Sequence, residues 1–295
     1  MPAQDLRTQQ SVIQAVGPQR RLMLAALACG CLAGTPRAQG SDPLDLTEKL
    51  NAMLPAQALL LGEQHDAPEH QRLARQTVVA LAAQGRLAAL VLEMLPAGIR
   101  GTNLLPNSTP QEARQALRWD EGAWPWAAYG PVIMAAIEAG APVLGGNLPA
   151  SQMRQAMVRS EFDARLPPAA LAQQRQLMRD GHCGLLPESQ IAPMARIQIA
   201  RDLSMADTLL KAVQSAPKGQ VVLMLSGSVH ADKQLGVPAH LPASLQSRSV
   251  RLLAGGPEPA IGPFDAYWRT APAPATDHCA QLRQQLKPAA PANSP

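Results

Sequence analysis

Two glutamates and two histidines stand soon after short apolar runs of the sequence, and their side chains suit either metal binding or proton transfer. Glu63 and His65 lie two residues apart, a spacing that points both side chains to the same side of an extended backbone. Two carboxylates and two imidazoles form a mixed oxygen and nitrogen set, which can hold a divalent metal ion or act as general acid and base. The predicted set consists of Glu63, His65, Glu93 and His230.

Each of these residues taken singly has a structural alternative, with Glu63 capping a helix and His230 lying in an ordinary loop. The position of all four after separate apolar runs favours a shared site instead. In an open parallel sheet the carboxyl ends of the strands meet at one edge, and ligands bind there. The sequence therefore predicts that the four side chains converge.

The apolar runs alternate with helical stretches, which is typical of an α/β fold with a mostly parallel sheet and flanking helices. The runs are apolar without alternation, as expected for strands that helices cover on both faces. Strands are predicted at Ala58–Leu61, Ala89–Leu92, Pro142–Leu144, Val221–Leu225, Val250–Leu253 and Phe264–Trp268.

Three helical segments are marked by their flanking residues. Asp66 is predicted to cap a helix that Gly85 ends, and Pro131 to begin a helix that Gly140 ends. Residues 149–216 are almost entirely helical in character, with interruptions at Pro167-Pro168 and Gly181–Pro187, and they separate two predicted strands. So long a segment predicts a helical insertion that forms a small subdomain or a lid.

The first 40 residues have the pattern of an export signal. Arg20 and Arg21 precede an apolar run of about ten residues that is too short to cross a membrane, and small residues follow. Cys29 and Cys31 each lie in an imperfect bacterial lipoprotein motif, and cleavage after Ala38 is the alternative that releases a soluble protein. The sequence thus predicts a location in the periplasm or on the outer membrane, with a lipid as the only membrane anchor.

Two cysteines, Cys183 and Cys279, remain after any of these cleavages. In an oxidising compartment the pair is expected to form a disulfide, and two separate thiols are the alternative. The segment 271–295 is rich in alanine and proline and is predicted to be largely disordered, except where Cys279 holds it. We therefore divide the chain into a leader at 1–40, an α/β domain at 41–270 and this tail.

Composition excludes several classes of protein. Apolar residues make up 46% of the chain, which is too many for a wholly disordered protein. The net charge is +4, but the leader holds four arginines against one aspartate. Most of the positive charge thus belongs to the leader, and it does not support a nucleic-acid partner.

Aromatic residues are concentrated in one short segment. Half of the eight aromatic residues in the chain fall within it, and they are Trp119, Trp124, Trp126 and Tyr129. The cluster is interpreted either as local packing or as the wall of a site for a flat apolar ligand.

Several motifs in collinear order resemble the ChaN family, whose members are haem-binding, iron-regulated bacterial lipoproteins of the Tiki superfamily. The resemblance covers about residues 50–270. The motifs are Leu61-Gly-Glu-Gln-His-Asp-Ala-Pro-Glu-His70, Leu92-Glu-Met94, Trp126-Ala-Ala-Tyr-Gly-Pro131, Gly146-Asn-Leu-Pro149, Arg201-Asp-Leu-Ser-Met-Ala206, Ser226-Gly-Ser-Val-His230 and Leu235-Gly-Val-Pro238.

The resemblance implies haem binding in iron uptake, through a tyrosine ligand and with haem held between two subunits of a homodimer. Of the two tyrosines, Tyr129 is the preferred ligand because it lies in the Trp-x-x-Tyr-Gly motif, and Tyr267 is the alternative. In the wider superfamily, the Gly-Glu-x-His pattern with a further glutamate and histidine is treated as a metal-binding or hydrolytic centre. Gln71 departs from the family, which commonly has histidine there.

Two functions are therefore expected. The first is a haem-binding protein of the cell envelope that acts in haem or iron acquisition. The second is a metal-dependent hydrolase of protease or esterase type. In it His65, His230 and one or both of the carboxylates of Glu63 and Glu93 hold the ion, and the remaining carboxylate activates water.

Overall fold

A six-stranded, entirely parallel sheet forms the centre of the protein. The computed structural model describes residues 43–259 and 262–285, so the leader with Cys29 and Cys31 lies outside the described residues. The strands are β1 (Ala58–Glu63), β2 (Leu87–Pro96), β3 (Val143–Asn147), β4 (Val221–Gly227), β5 (Ser247–Ala254) and β6 (Ala266–Thr270). Their order across the sheet is β3-β2-β4-β1-β5-β6. The predicted α/β class with a mostly parallel sheet is confirmed.

Helices cover both faces of this sheet and build the insertion. They are α1 (Pro43–Met53), α2 (Pro68–Ala83), α3 (Pro110–Ala116), α4 (Trp126–Glu138), α5 (Ala150–Val158), α6 (Pro168–Gly181), α7 (Glu188–Ser215) and α8 (His278–Gln285). Short 3-10 helices occur at Ser160–Arg165 and Val237–His240. None of the helices in the described ranges is long and apolar enough to cross a membrane.

Two helix starts differ from the sequence prediction. The N-cap position of α2 is occupied by Ala67, which makes no side-chain hydrogen bond. Asp66 instead accepts a hydrogen bond from Gln64 Nε2 at 2.8 Å. Helix α4 begins five residues before Pro131, because Pro125 stands at its N-cap and the Glu121 carboxylate accepts a hydrogen bond from the next backbone N–H. Pro131 then costs the helix only one backbone hydrogen bond.

The hydrophobic core consists of two layers, one on each face of the sheet. Alternate strand residues such as Leu59 and Leu61 pack with α2 and α4, whereas Leu60 and Met224 pack with α7 on the other face. Because both faces are covered, the strands have no polar face, which explains their continuous apolar runs. Each fully buried leucine stabilises the fold by about 1.5–3 kcal/mol.

The carboxyl ends of three strands lie side by side at the centre of the sheet. Strand β4 pairs with both β1 and β2, and its register places Gly227 opposite Glu63 and Leu225 opposite Leu92. The chain approaches itself closely here, since a Cβ on Gly62 would lie 2.9 Å from Ala231 Cβ. This edge therefore holds the segments that follow β1, β2 and β4 in close contact.

The helical insertion has a small core of its own and a covalent link to the tail. Buried residues of α5, α6 and α7, with Phe162 and Leu166 between them, form a separate apolar cluster. A disulfide joins Cys183, just after α6, to Cys279 in α8, with the two Cα atoms 5.7 Å apart. The segment predicted as a largely disordered tail thus contains helix α8 in its described part.

Candidate functional site

The structure brings the four predicted residues together at the carboxyl edge of the sheet. His65 Nδ1 lies 2.8 Å from Glu63 Oε1, and His65 Nε2 lies 3.8 Å from Glu93 Oε2. On the other side of Glu93, its Oε1 atom lies 3.5 Å from His230 Nε2. Carboxylates and imidazoles therefore alternate along one continuous row.

Glu63 is buried at the end of β1 and is fully hydrogen-bonded. Its Oε1 atom accepts a hydrogen bond from the Tyr129 hydroxyl at 2.7 Å, and its Oε2 atom accepts one from Gln71 Nε2 at 2.7 Å. Gln71 is the position at which the sequence departs from the family pattern. Because an amide N–H donates here, the Gln71 side chain satisfies Glu63 Oε2 without carrying a charge.

Glu93 is also buried, and a buried arginine neutralises it. Arg201 Nη2 lies 2.5 Å from Glu93 Oε1, and the backbone N–H of Gly227 donates to Oε2 at 2.7 Å. Burial alone raises the pKa of Glu93, but His230, Arg201 and His65 together lower the pKa to about 2. Glu93 is therefore a carboxylate throughout the physiological pH range.

The next residue after Arg201 extends the row by one more carboxylate. Asp202 Oδ1 lies 2.6 Å from His230 Nδ1, and both side chains are buried. Burial raises the pKa of Asp202 above its usual value, although the nearby imidazole opposes this shift. The row thus runs from Glu63 through His65, Glu93 and His230 to Asp202.

Arg201 and Asp202 were not among the predicted site residues. A signal was present in the sequence, since two adjacent charged residues interrupt the apolar positions of a helix and stand in the Arg201–Ala206 motif. Asn147 was also missed. Its side chain accepts a hydrogen bond from Arg201 Nε at 2.9 Å and donates to the Glu93 backbone carbonyl at 2.9 Å, so it aligns the ion pair.

His65 is the member of the row that reaches solvent, with one third of its side chain exposed. Burial lowers its pKa, but the hydrogen bond to Glu63 and the charge of Glu93 outweigh this, and the net pKa lies above 6.5. The ring packs against the edge of Trp124, with centroids 4.9 Å apart. Gly227 makes room for it, because a Cβ there would lie 3.0 Å from His65 Nε2.

With this geometry established, comparison with known proteins identifies the family. Residues 50–241 match the family of haem-binding uptake proteins designated ChaN, within the Tiki superfamily. The chain belongs to this family. The family resemblance seen in the sequence motifs is thereby confirmed.

Two solved structures are similar to this ChaN family member. The ChaN protein of Campylobacter jejuni, described with cofacial haem binding, is 24% identical, with a TM-score of 0.59 over 73% of this chain and 87% of that one. This similarity establishes a shared fold. A mutant of the erythromycin esterase EreC in its open conformation is 14% identical, with a TM-score of 0.44 over 73% of this chain and 74% of that one, and it supports no inference. No curated protein sequence matches the chain.

The interpretation of the row of carboxylates and imidazoles as a metal-binding site is not supported. Within residues 43–259 and 262–285, no group of three or more His, Cys, Asp or Glu side chains is arranged to hold a metal ion. The Arg201 guanidinium already supplies a positive charge beside Glu93, with Nη2 at 2.5 Å from Oε1. The acid/base interpretation does not require an ion and is compatible with the observed contacts.

The aromatic cluster forms a wall beside the row. Trp124 packs edge-on against Tyr129 at 5.6 Å between centroids, and Trp119 packs against Trp126 at 5.3 Å. Since Trp124 also contacts His65, the cluster packs locally and lines the site at the same time.

The two tyrosines of the chain, Tyr129 and Tyr267, both contact other residues of the protein. Tyr129 is 2% exposed, and burial together with the Glu63 carboxylate raises the pKa of its hydroxyl far above 10. Both effects oppose the tyrosinate that a ferric haem ligand requires, so the assignment of Tyr129 stays a prediction. Tyr267 is half-buried and packs against Phe264, and its hydroxyl lies against Gly262, 1.6 Å from the position that a Cβ would occupy there.

Proposed function

We propose that this protein binds haem as a cargo and acts in haem or iron acquisition in the cell envelope. The observation that carries this proposal is the ChaN family match over residues 50–241. A protein that captures and releases haem needs a ligand for the iron and a surface for the porphyrin. It does not need an open iron position for oxygen chemistry.

The donor atoms of the chain fit ferric haem. Haem iron in proteins is held by histidine, tyrosine, methionine or cysteine side chains. In the described part of the chain both cysteines are joined in a disulfide, and imidazoles with exposed surface occur at His65 and His278. Either an imidazole or a tyrosinate can therefore supply the bond to iron.

The envelope location belongs to the same proposal. The leader at 1–40 directs export, and lipidation at Cys29 or Cys31 would anchor the protein to the membrane. The disulfide between Cys183 and Cys279 supports an oxidising compartment, since such bonds are rare in the cytosol. A homodimer that shares haem between subunits completes the proposal.

Haem binding is tested by titrating the purified, oxidised protein with haemin. We expect a Soret band that shifts from the position of free haemin and saturates at a fixed haem-to-protein ratio. In parallel, Tyr129→Phe tests the ligand that the family resemblance assigns, because a phenyl ring cannot bind iron. A spectrum of wild-type protein that equals that of haemin in buffer would contradict haem binding. An unchanged band in Tyr129→Phe would remove only the tyrosine assignment.

The alternating row of carboxylates and imidazoles supports a second candidate function, a hydrolase that uses acid/base chemistry. Glu63 accepts a hydrogen bond from His65 Nδ1, which leaves Nε2 as the basic nitrogen on the solvent-facing side of the site. From this position the nitrogen can take a proton from a water molecule that attacks a carbonyl carbon. The carboxylates of Glu63 and Glu93 then stabilise the positive charge that forms on His65.

This second function predicts hydrolysis of an activated ester with a defined pH dependence. Because only the neutral imidazole accepts a proton, and the pKa of His65 is raised, we expect the rate to increase with pH through a midpoint above 6.5. Replacing the base, as in His65→Gln, should lower the rate by about 100-fold or more. The matched control is His240→Gln, which changes a histidine outside the row. Equal rates in His65→Gln and wild-type protein would reject this function.

A further inference from the structure

A cavity of about 390 Å³ lies beside the edge strand β3, on the face of the sheet that α7 covers. Its apolar lining includes the short side chains of Ala88 and Ala89 in β2 and the side chain of Leu144 in β3. The second half of α7 and residues 98–102 of the loop that follows β2 complete the walls. The volume lies at the lower end of the range of about 300–1,000 Å³ that is typical of small-molecule sites.

The loop wall of this cavity is fixed by backbone hydrogen bonds to β3. The Gly145 N–H donates to the Ile99 carbonyl at 2.9 Å, and the Gly101 N–H donates to the Val143 carbonyl at 2.8 Å. The approach is so close that a Cβ on Gly145 would lie 2.0 Å from the Pro96 carbonyl oxygen. Because the loop is joined to the edge of the sheet in this way, the cavity is part of the folded structure before any ligand enters.

The lining of the cavity carries positive charge. Among the lining residues in the described part of the chain, Arg100 and Lys211 are basic and none is acidic. Lys211 Nζ pairs with the Asp207 carboxylate at 2.7 Å. The Arg100 guanidinium has no hydrogen bond or ion pair within residues 43–259 and 262–285. One net positive charge, with its N–H donors free, therefore stands beside an apolar surface.

This cavity is separate from the row of carboxylates and imidazoles. The row uses Arg201 and Asp202 of α7, whereas the cavity begins seven residues after Arg201 on the same helix. Ten positions separate Arg201 from Lys211, which corresponds to about 15 Å along the helix axis. On β2, the cavity uses Ala89 near the start of the strand, whereas Glu93 lies in its second half. Neither haem binding nor the acid/base chemistry of the row accounts for this cavity.

We propose that the cavity binds a small organic anion, a monocarboxylate with a short apolar chain. The guanidinium of Arg100 presents two parallel N–H donors that match the two oxygens of a carboxylate. The apolar chain of the ligand then packs on Ala88, Ala89 and Leu144. Since Asp207 neutralises Lys211, the single remaining charge matches a carboxylate better than a phosphate monoester, which carries about two charges at neutral pH.

The test titrates the oxidised protein with sodium hexanoate by isothermal titration calorimetry, with hexanol and hexylammonium as neutral and cationic probes. We expect saturable binding of hexanoate alone, with a Kd of about 1 mM or below. Arg100→Gln should weaken binding by at least about tenfold, because it removes a charge-assisted hydrogen bond. Ala212→Leu places a larger side chain in the lining and should abolish binding. The matched control is Arg75→Gln, which changes an exposed arginine of α2 on the other face of the sheet and should keep the wild-type Kd.

Amide NMR spectra of the same samples locate the bound hexanoate. The signals of Gly98 and Gly145 should shift, and those of Gly62 and Gly227 beside the row should not. Absence of saturable binding to wild-type protein overturns the proposal, and equal binding of hexanol overturns the anionic class of the ligand. A wild-type Kd in Arg100→Gln, or shifts centred on Gly62 and Gly227, overturns the cavity as the site. Circular dichroism checks the fold of each variant, and the exposed Arg100 keeps the test decisive if the cavity-filling variant does not fold.

Discussion

Replacement of Arg201 by methionine should lower the free energy of unfolding by about 3–5 kcal/mol. The guanidinium is 4% exposed and lies 2.5 Å from a Glu93 carboxylate that is 2% exposed. Methionine retains much of the apolar volume but removes the charge, so Glu93 becomes a buried carboxylate without its guanidinium partner, and Asn147 Oδ1 loses the hydrogen bond from Arg201 Nε. The cost of an uncompensated buried charge is far greater than that of a lost surface ion pair.

Urea denaturation at neutral pH measures this effect, and two further variants serve as controls. Lys211→Met breaks the exposed pair with Asp207, whose side chains are both 60% exposed, and should cost less than about 1 kcal/mol. The double variant Arg201→Met with Glu93→Gln removes both charges and should recover part of the loss. A loss of less than about 1 kcal/mol in Arg201→Met alone would show that Glu93 is not held as a buried carboxylate.

Removal of the disulfide between Cys183 and Cys279 should lower the free energy of unfolding by about 4–5 kcal/mol in the chain-entropy model. The bond closes a loop with a sequence separation of 96 residues, and this long loop restricts the unfolded chain. Native contacts are expected to change little, so the midpoint of urea unfolding should fall while the fold at low urea is retained.

A dithiol reductant applied to wild-type protein and the double variant Cys183→Ser with Cys279→Ser provide two independent versions of this experiment. Both should give the same lower midpoint, and the reductant should have no further effect on the serine variant. If the oxidised and reduced proteins unfold at the same urea concentration, the bond does not stabilise the folded state as a whole.

The sequence predicts the fold well because its strongest signal is local. Buried parallel strands have continuous apolar runs, and each predicted run from Ala58–Leu61 to Val250–Leu253 overlaps an observed strand, with only Pro142 falling outside. Helix starts are harder to predict. For α4, Pro125 and Pro131 could each mark the start, and the choice depends on contacts with residues outside the helix. The Glu121 carboxylate decides this for α4 by accepting the hydrogen bond of the Trp126 N–H.

The site is predictable only in part, because its partners are distant in sequence. The strand ends indicate Glu63, His65 and Glu93, since one structural rule applies to all strands of an open parallel sheet. The residue that neutralises Glu93 lies 108 positions later in a helix, and no local pattern connects the two. Likewise, a tyrosine in a motif can be recognised, but its burial against Glu63 depends on packing of four aromatic rings.

The strand order has a consequence for the order in which the chain can assemble. Strand β1 is made early in the sequence, yet its two neighbours are β4 and β5, which come from the last third of the chain. Until residues 221–254 arrive, β1 has no strand to pair with, and only β2 and β3 can associate. Contacts of such long range make folding slow, because the chain must close a large loop before the pairing stabilises it. The central sheet is therefore completed only after nearly all of the domain has been synthesised.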